Sequence, residues 1–113
     1  MNTVFHLSDG SDDAHGHALS NVENLLADDS IAVESVVLLT NGDGVSLSRT
    51  DGPRAERIDR LIRQGALIRV CLNSLRTRDM DASMLHPGVT VVPSGVGELT
   101  RLQSAGYAYI KTP

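Results

Sequence analysis

Ala66-Leu67-Ile68-Arg69-Val70-Cys71-Leu72-Asn73-Ser74-Leu75 changes character at Cys71. Up to Val70 the run is apolar, broken only by Arg69, and reads as a strand. From Leu72 it turns polar and enters what the pattern leaves as a short helix or an ordered loop as far as Asp81. Cys71, the one cysteine of the chain, stands at the join. In a parallel α/β sheet that join is the carboxyl edge, where such folds collect ligands and chemistry.

The rest of the chain repeats the alternation. Thr3–Leu7 is a short apolar strand. Ser8-Asp9-Gly10-Ser11 is turn chemistry, with Ser11, Asp12 or Asp13 available as a helix cap. Ala18, Leu19, Val22, Leu25 and Leu26 then recur at three- and four-residue steps, one helical stripe ending at Asp28. Val33–Leu39 is a second strand; its last four residues are continuously apolar, which implies burial on both faces. Val45-Ser46-Leu47 reads as a short extended piece. Asp51-Gly52-Pro53 opens a second helix, with Asp51 or Gly52 as cap, Ile58, Leu61 and Ile62 inward, and Gly65 as its stop. Arg54, Arg57, Arg60 and Arg63 sweep its other side and are expected to pair locally with Glu56 and Asp59. Val89–Val92 is a fourth strand. Pro93-Ser94-Gly95 opens a last helix with Val96, Leu99 and Leu102 inside, and Tyr107–Ile110 is a fifth strand. This order predicts an α/β fold: a three-layer α/β/α sandwich on a mostly parallel five-stranded sheet with right-handed crossovers, in one domain over residues 1–113.

Composition narrows the function. The 113 residues are 41% hydrophobic and 21% charged, a globular balance. Aromatics are 3%, so the core is aliphatic. No apolar run approaches the ~20 residues of a membrane helix, so no membrane is expected as partner. The net charge of −4 argues against nucleic acid, which needs a basic face. Low lysine with more Asp than Glu suits a high-salt cytoplasm. No secretory signal is legible, and one cysteine cannot form an internal disulfide, so a reducing cytoplasm is the expected location.

The strand-to-helix loops are Ser8-Asp9-Gly10, Thr40-Asn41-Gly42, Cys71-Leu72-Asn73-Ser74 and Pro93-Ser94-Gly95. All are small and polar, suited to a site lined by backbone groups. Each taken alone is explained by turns and caps. Cys71 has two readings: a small core hydrophobe, or a nucleophile whose thiolate is stabilised by free N–H groups at Asn73-Ser74 and by Arg76 or Arg78. With no second cysteine a CxxC redox mechanism is excluded, but one thiol suffices to carry sulfur as a persulfide. His15-Gly16-His17 is a poor chelate on a helix, and none of the usual Cys/His metal spacings is present; a site joining Cys71 to His15 or His17 is the minor alternative. His6 reads as a core or edge residue of the first strand. Ser94-Gly95-Val96-Gly97 reads as a helix cap. Neither a metal nor a cofactor is expected.

Cys71-Leu72-Asn73-Ser74-Leu75, Val92-Pro93-Ser94-Gly95-Val96-Gly97-Glu98-Leu99 and Leu102-Gln103-Ser104-Ala105-Gly106-Tyr107-Ala108-Tyr109-Ile110 together resemble the DsrE/DsrF-like family over nearly the full length, closest to its small stand-alone branch. The resemblance implies the three-layer sandwich and assembly into a homotrimer or homohexamer. It also implies a sulfur relay in which a cysteine of this region carries persulfide between partner proteins. Carried over by position, the carrier is Cys71, with Asn73 and Ser74 shaping its pocket. From the loops at the same edge, Ser94, Gly95, Asn41 and Ser8 are the further binding residues expected. The competing expectation is a non-catalytic oligomeric module that binds a small anion or metabolite at the same edge.

Overall fold

The computed structural model describes residues 1–113. Strands β1 (Asn2–Leu7), β2 (Ser35–Thr40), β3 (Leu67–Cys71), β4 (Thr90–Val92) and β5 (Ala108–Lys111) form one sheet in the order β4-β3-β2-β1-β5. Every pairing is parallel, so the sheet is wholly and not merely mostly parallel. Helices α1 (Asp12–Ala27), α2 (Ala55–Arg63), α3 (Leu72–Arg76) and α4 (Gly95–Ser104) connect the strands.

The side-chain period of two divides the sheet into faces. Phe5, Leu7, Val36, Leu38, Ile68 and Val70 pack with Ala18, Leu19, Val22, Ile58, Leu61 and Leu75 in the larger core, beneath α1, α2 and α3. Val4, Val37, Leu39 and Val92 pack with Leu99 and Leu102 in a smaller core, beneath α4 alone. The first three crossovers step from β1 to β4 in one direction. The last returns from β4 to the far edge, and a right-handed return puts its helix on the opposite face. The connections leaving β3 and β4 therefore diverge to opposite faces. The crevice between those strand ends is a topological switch point.

Several local expectations are corrected. Val45-Ser46-Leu47 is not extended: Gly42–Ser48 is a 3-10 segment with Gly44, Val45, Leu47 and Ser48 buried. Gly44 lies so close to β1 that a Cβ there would stand 2.5 Å from the Leu7 carbonyl oxygen. Neither Asp51 nor Gly52 caps α2. The Asp51 carboxylate is held by Arg49, whose Nε and Nη2 donate to it at 2.9 and 3.2 Å, and the helix starts after Arg54. The segment after Cys71 is both helix and loop: α3 ends at Arg76 and a short 3-10 turn, Ala82–Met84, follows. Val96, expected inside, is 66% exposed. Two arginines of the series at α2 pair across to α1, not within their own helix. Arg57 donates to Glu23 at 2.6 and 2.9 Å and to Ser20 at 2.9 Å, and Arg54 to Asp12 at 2.9 Å. Only Arg63 with Asp59 makes the expected pair one turn apart. Ser11 is the cap of α1, accepting from Ala14 N–H at 3.1 Å.

Candidate functional site

Cys71 is the last residue of β3, on the sheet face that α4 covers and beside Val92 of β4. It is 5% exposed. Gly95, first residue of α4, packs directly on it: a Cβ at Gly95 would lie 3.3 Å from the Cys71 Cβ and 3.2 Å from the Asn41 Cβ. The carboxyl ends of β2, β3 and β4 thus meet at one point, the switch-point crevice.

Donor groups at the starts of α3 and α4 lie beside the thiol. Burial pushes the Cys71 thiol up. The Ser74 hydroxyl and the N–H groups of Ser74, Gly95 and Asn73 outweigh that, leaving the pKa below the ordinary thiol value. Three of these donors exist because the chain turns sharply into α3 and α4, where the first N–H groups of a helix lack partners of their own. Ser74 is itself oriented: its Oγ accepts from the Gly42 N–H at 2.8 Å, which leaves its proton for the sulfur. Gly42 can offer that N–H because it sits at φ +54°, a left-handed conformation that glycine takes at little cost.

A second polar group adjoins this one along the edge. His6 Nε2 lies 2.8 Å from Asn41 Oδ1, and His6 Nδ1 lies 2.6 Å from the Tyr109 hydroxyl. With Oδ1 as the acceptor, Nε2 carries the proton and the tyrosine donates to Nδ1. Burial lowers the His6 pKa, opposed by the Asn41 hydrogen bond and helped by the Lys111 charge, so a neutral ring is favoured. Lys111 Nζ donates to Ser8 Oγ at 2.9 Å.

The residues singled out in the sequence separate into groups. Cys71, Asn73, Ser74 and Gly95 come together, with Asn41 against Gly95. Ser94 is on the rim, its hydroxyl capping α4 through the Gly97 N–H at 3.2 Å. Ser8 stands farther along, at the end of β1 with Lys111. Arg78, considered as a thiolate neighbour, pairs instead with Asp43 at 2.9 Å. His15 Nε2 lies 3.0 Å from the Asp9 carbonyl oxygen, and no group of three or more His, Cys, Asp or Glu side chains is placed to hold a metal ion. In the sequence, Gly42 reads only as part of a small polar loop, His6 only as a core or edge residue and Tyr109 only as part of the fifth strand. The signal joining His6 to Asn41 and Tyr109 is the register of β1 with β2 and β5, and that joining Gly42 to Ser74 is the register of β2 with β3, which no local pattern carries. Open hollows of about 370 and 540 Å³ lie at the other end of the sheet, near Leu26 and Gln64, and neither reaches Cys71.

A family model described as the DsrE/DsrF-like family matches residues 2–112. The chain belongs to the DsrE/DsrF-like family. Among solved structures it is similar to a protein of unknown function from Methanobacterium thermoautotrophicum, at 35% identity and TM-score 0.92 over 97% of each chain. It also shares its fold with a conserved protein of unknown function from Bacteroides thetaiotaomicron, at 17% identity and TM-score 0.72, over 97% of this chain and 93% of that one. No curated protein matches. Membership of the DsrE/DsrF-like family suggests sulfur relay at the level of the family.

Proposed function

We propose that this DsrE/DsrF-like protein is a cytoplasmic sulfur carrier that holds sulfane sulfur on Cys71. The observation that carries the reading is the placement of the thiol at the switch point, where Cys71 ends β3 beside Val92, α3 starts at the next residue and the first residue of α4, Gly95, packs on it. In the step, the Cys71 thiolate attacks the terminal sulfur of a donor persulfide. The donor's S–S bond breaks, a new S–S bond forms on Cys71, and the donor leaves as a thiolate. The exchange is redox-neutral, so neither a second cysteine nor an oxidant is needed. The donor groups at the starts of α3 and α4 stabilise the thiolate that is regenerated when an acceptor takes the sulfur away. Asn73 and Ser74 hold the sulfur, and Gly95, Ser94 and Asn41 form the lip over which a partner's sulfur arrives. A reducing compartment keeps such a thiol free. Its partners are other sulfur-relay proteins, and its working form is a homotrimer or homohexamer.

Incubation with a persulfide donor followed by intact mass measurement tests the reading. Wild type is expected to gain the mass of one sulfur atom and Cys71→Ser none. Equal loading of the two proteins would remove Cys71 from the mechanism.

The burial of Cys71 favours a second reading, a binding module in which these donor groups receive a small anion and the thiol is structural. Anion binding that survives Cys71→Ala, with no sulfur loading of wild type, would favour that reading.

A further inference from the structure

Glu98 is 5% exposed, and a buried carboxylate stays ionised only where cations and donors replace its hydration. Two arginines do so. Arg101 donates from Nη2 at 2.7 Å and Nε at 2.9 Å to Oε1, and Arg69 Nη1 donates to Oε2 at 2.6 Å. Arg101 lies on α4 itself, one turn on, and pairs with Glu98 wherever the helix sits. Arg69 lies on β3, two residues before Cys71 and on the same face of the sheet. Its bond crosses from strand to helix. As a contribution to stability such a pair is no better than well-packed apolar residues. Its geometric effect is specific: it ties the first turn of α4 to the strand that ends in the cysteine. That turn begins with Gly95, where a Cβ would press on Cys71 at 3.3 Å from its Cβ.

We propose that the Arg69–Glu98 pair is a positioning device for the thiol, holding the first turn of α4 on β3 so that the Gly95 backbone stays packed against Cys71. The inference rests on Cys71 being the working thiol. Arg69 and Glu98 are positioning residues and touch no reacting atom.

The sign of one substitution separates this role from simple electrostatics. Deleting the Glu98 charge leaves Arg69 uncompensated near the thiol, which by charge alone lowers the Cys71 midpoint. Releasing the first turn of α4 removes a donor and raises it. The test is the pH dependence of Cys71 alkylation in the full-length protein. Glu98→Leu is expected to raise the midpoint by about one unit, the scale of one lost hydrogen bond to a charged acceptor. Glu98→Gln, which keeps an acceptor for Arg69, is expected not to raise it. A midpoint in Glu98→Leu that is unchanged or lower overturns the proposal.

Should Glu98→Leu fail to fold, Arg69→Met serves, with its midpoint measured at low salt and at about 1 M salt, where charge effects are screened within ~3 Å. A rise that persists at high salt supports positioning, and a rise that disappears overturns it. The reading of Cys71 fails separately: a wild-type midpoint at or above the ~8.5 of a free thiol ends it and takes this inference with it. A depressed wild-type midpoint with unshifted variants ends the positioning role alone.

Discussion

Ser74 has one hydrogen-bonding role left open. The Gly42 N–H occupies a lone pair of its hydroxyl at 2.8 Å, so the proton is free for the Cys71 sulfur. Ser74→Ala is expected to raise the thiol midpoint by about one unit while leaving the fold intact, read by thiolate absorbance or alkylation against pH. A shift below about 0.3 unit would mean that the N–H groups hold the sulfur without the hydroxyl. Gly95 makes a second residue-scale prediction. An added methyl would meet Asn41, Cys71 and Leu39 at 3.2, 3.3 and 3.4 Å. Gly95→Ala should therefore cost about 1–2 kcal/mol in urea melts, despite the better helix propensity of alanine, and should slow sulfur loading. Cys71 and Ser74 were legible because they lie three residues apart in one segment. Gly42 was not, because 32 residues separate it from Ser74 and only folding brings its N–H to the hydroxyl.

The segment from Gly42 to Ser48 shows where local pattern fails. Val45-Ser46-Leu47 alternates like a strand, yet the chain there is wound into a 3-10 segment pressed on the end of β1. Gly44 makes that approach possible, and Gly44→Ala would drive a Cβ into the Leu7 carbonyl. A loss of about 3 kcal/mol is expected from chemical denaturation; a loss under about 1 kcal/mol would mean that the segment yields easily. Helix α4 gives the pH prediction. Burial raises the Glu98 pKa, but its hydrogen bonds and charge pairing with Arg101 and Arg69 bring it below the ordinary carboxylate value. With the folded value below the unfolded one, this contribution is fully present above the unfolded pKa of about 4.3. It is lost as pH falls through the depressed folded value. The stability gap between wild type and Glu98→Leu should narrow as melts are taken from pH 7 towards pH 3. A gap constant with pH would show that the carboxylate is not the source of the difference.

At the scale of the molecule, strand order decides where the chemistry can sit. The return of the last crossover separates the connections after β3 and β4, and Cys71 occupies the crevice this opens. The same return leaves one sheet face under a single helix. Leu67 and Tyr109 on that face are 43% and 41% exposed, and Val96 of α4 is 66% exposed. Burial of these side chains between subunits would add apolar contact that a chain with so few aromatics lacks. Light scattering at micromolar concentration is expected to give a trimer or hexamer of the 12.1 kDa chain; a monomer would contradict the assembly proposed above.

Alternating apolar strands and amphipathic helices were enough, with the resemblance, to read the parallel α/β fold and to put Cys71 at a strand's carboxyl end, because both depend on local periodicity and on which residues begin helices. The ends of elements were less legible: the Arg49–Asp51 pair removed the expected cap of α2, and the expected inward Val96 faces solvent. Strand order and register lie outside the reach of such patterns, since neighbouring strands are joined by hydrogen bonds between backbones that carry no side-chain signature. Register sets His6 between Asn41 and Tyr109, and the packing of α4 on the sheet sets Arg69 opposite Glu98. The thiol and its donors at Asn73 and Ser74 are thus written in one segment, whereas Gly95 of α4 and the Gly42 that orients Ser74 reach that segment only through packing around two aliphatic cores.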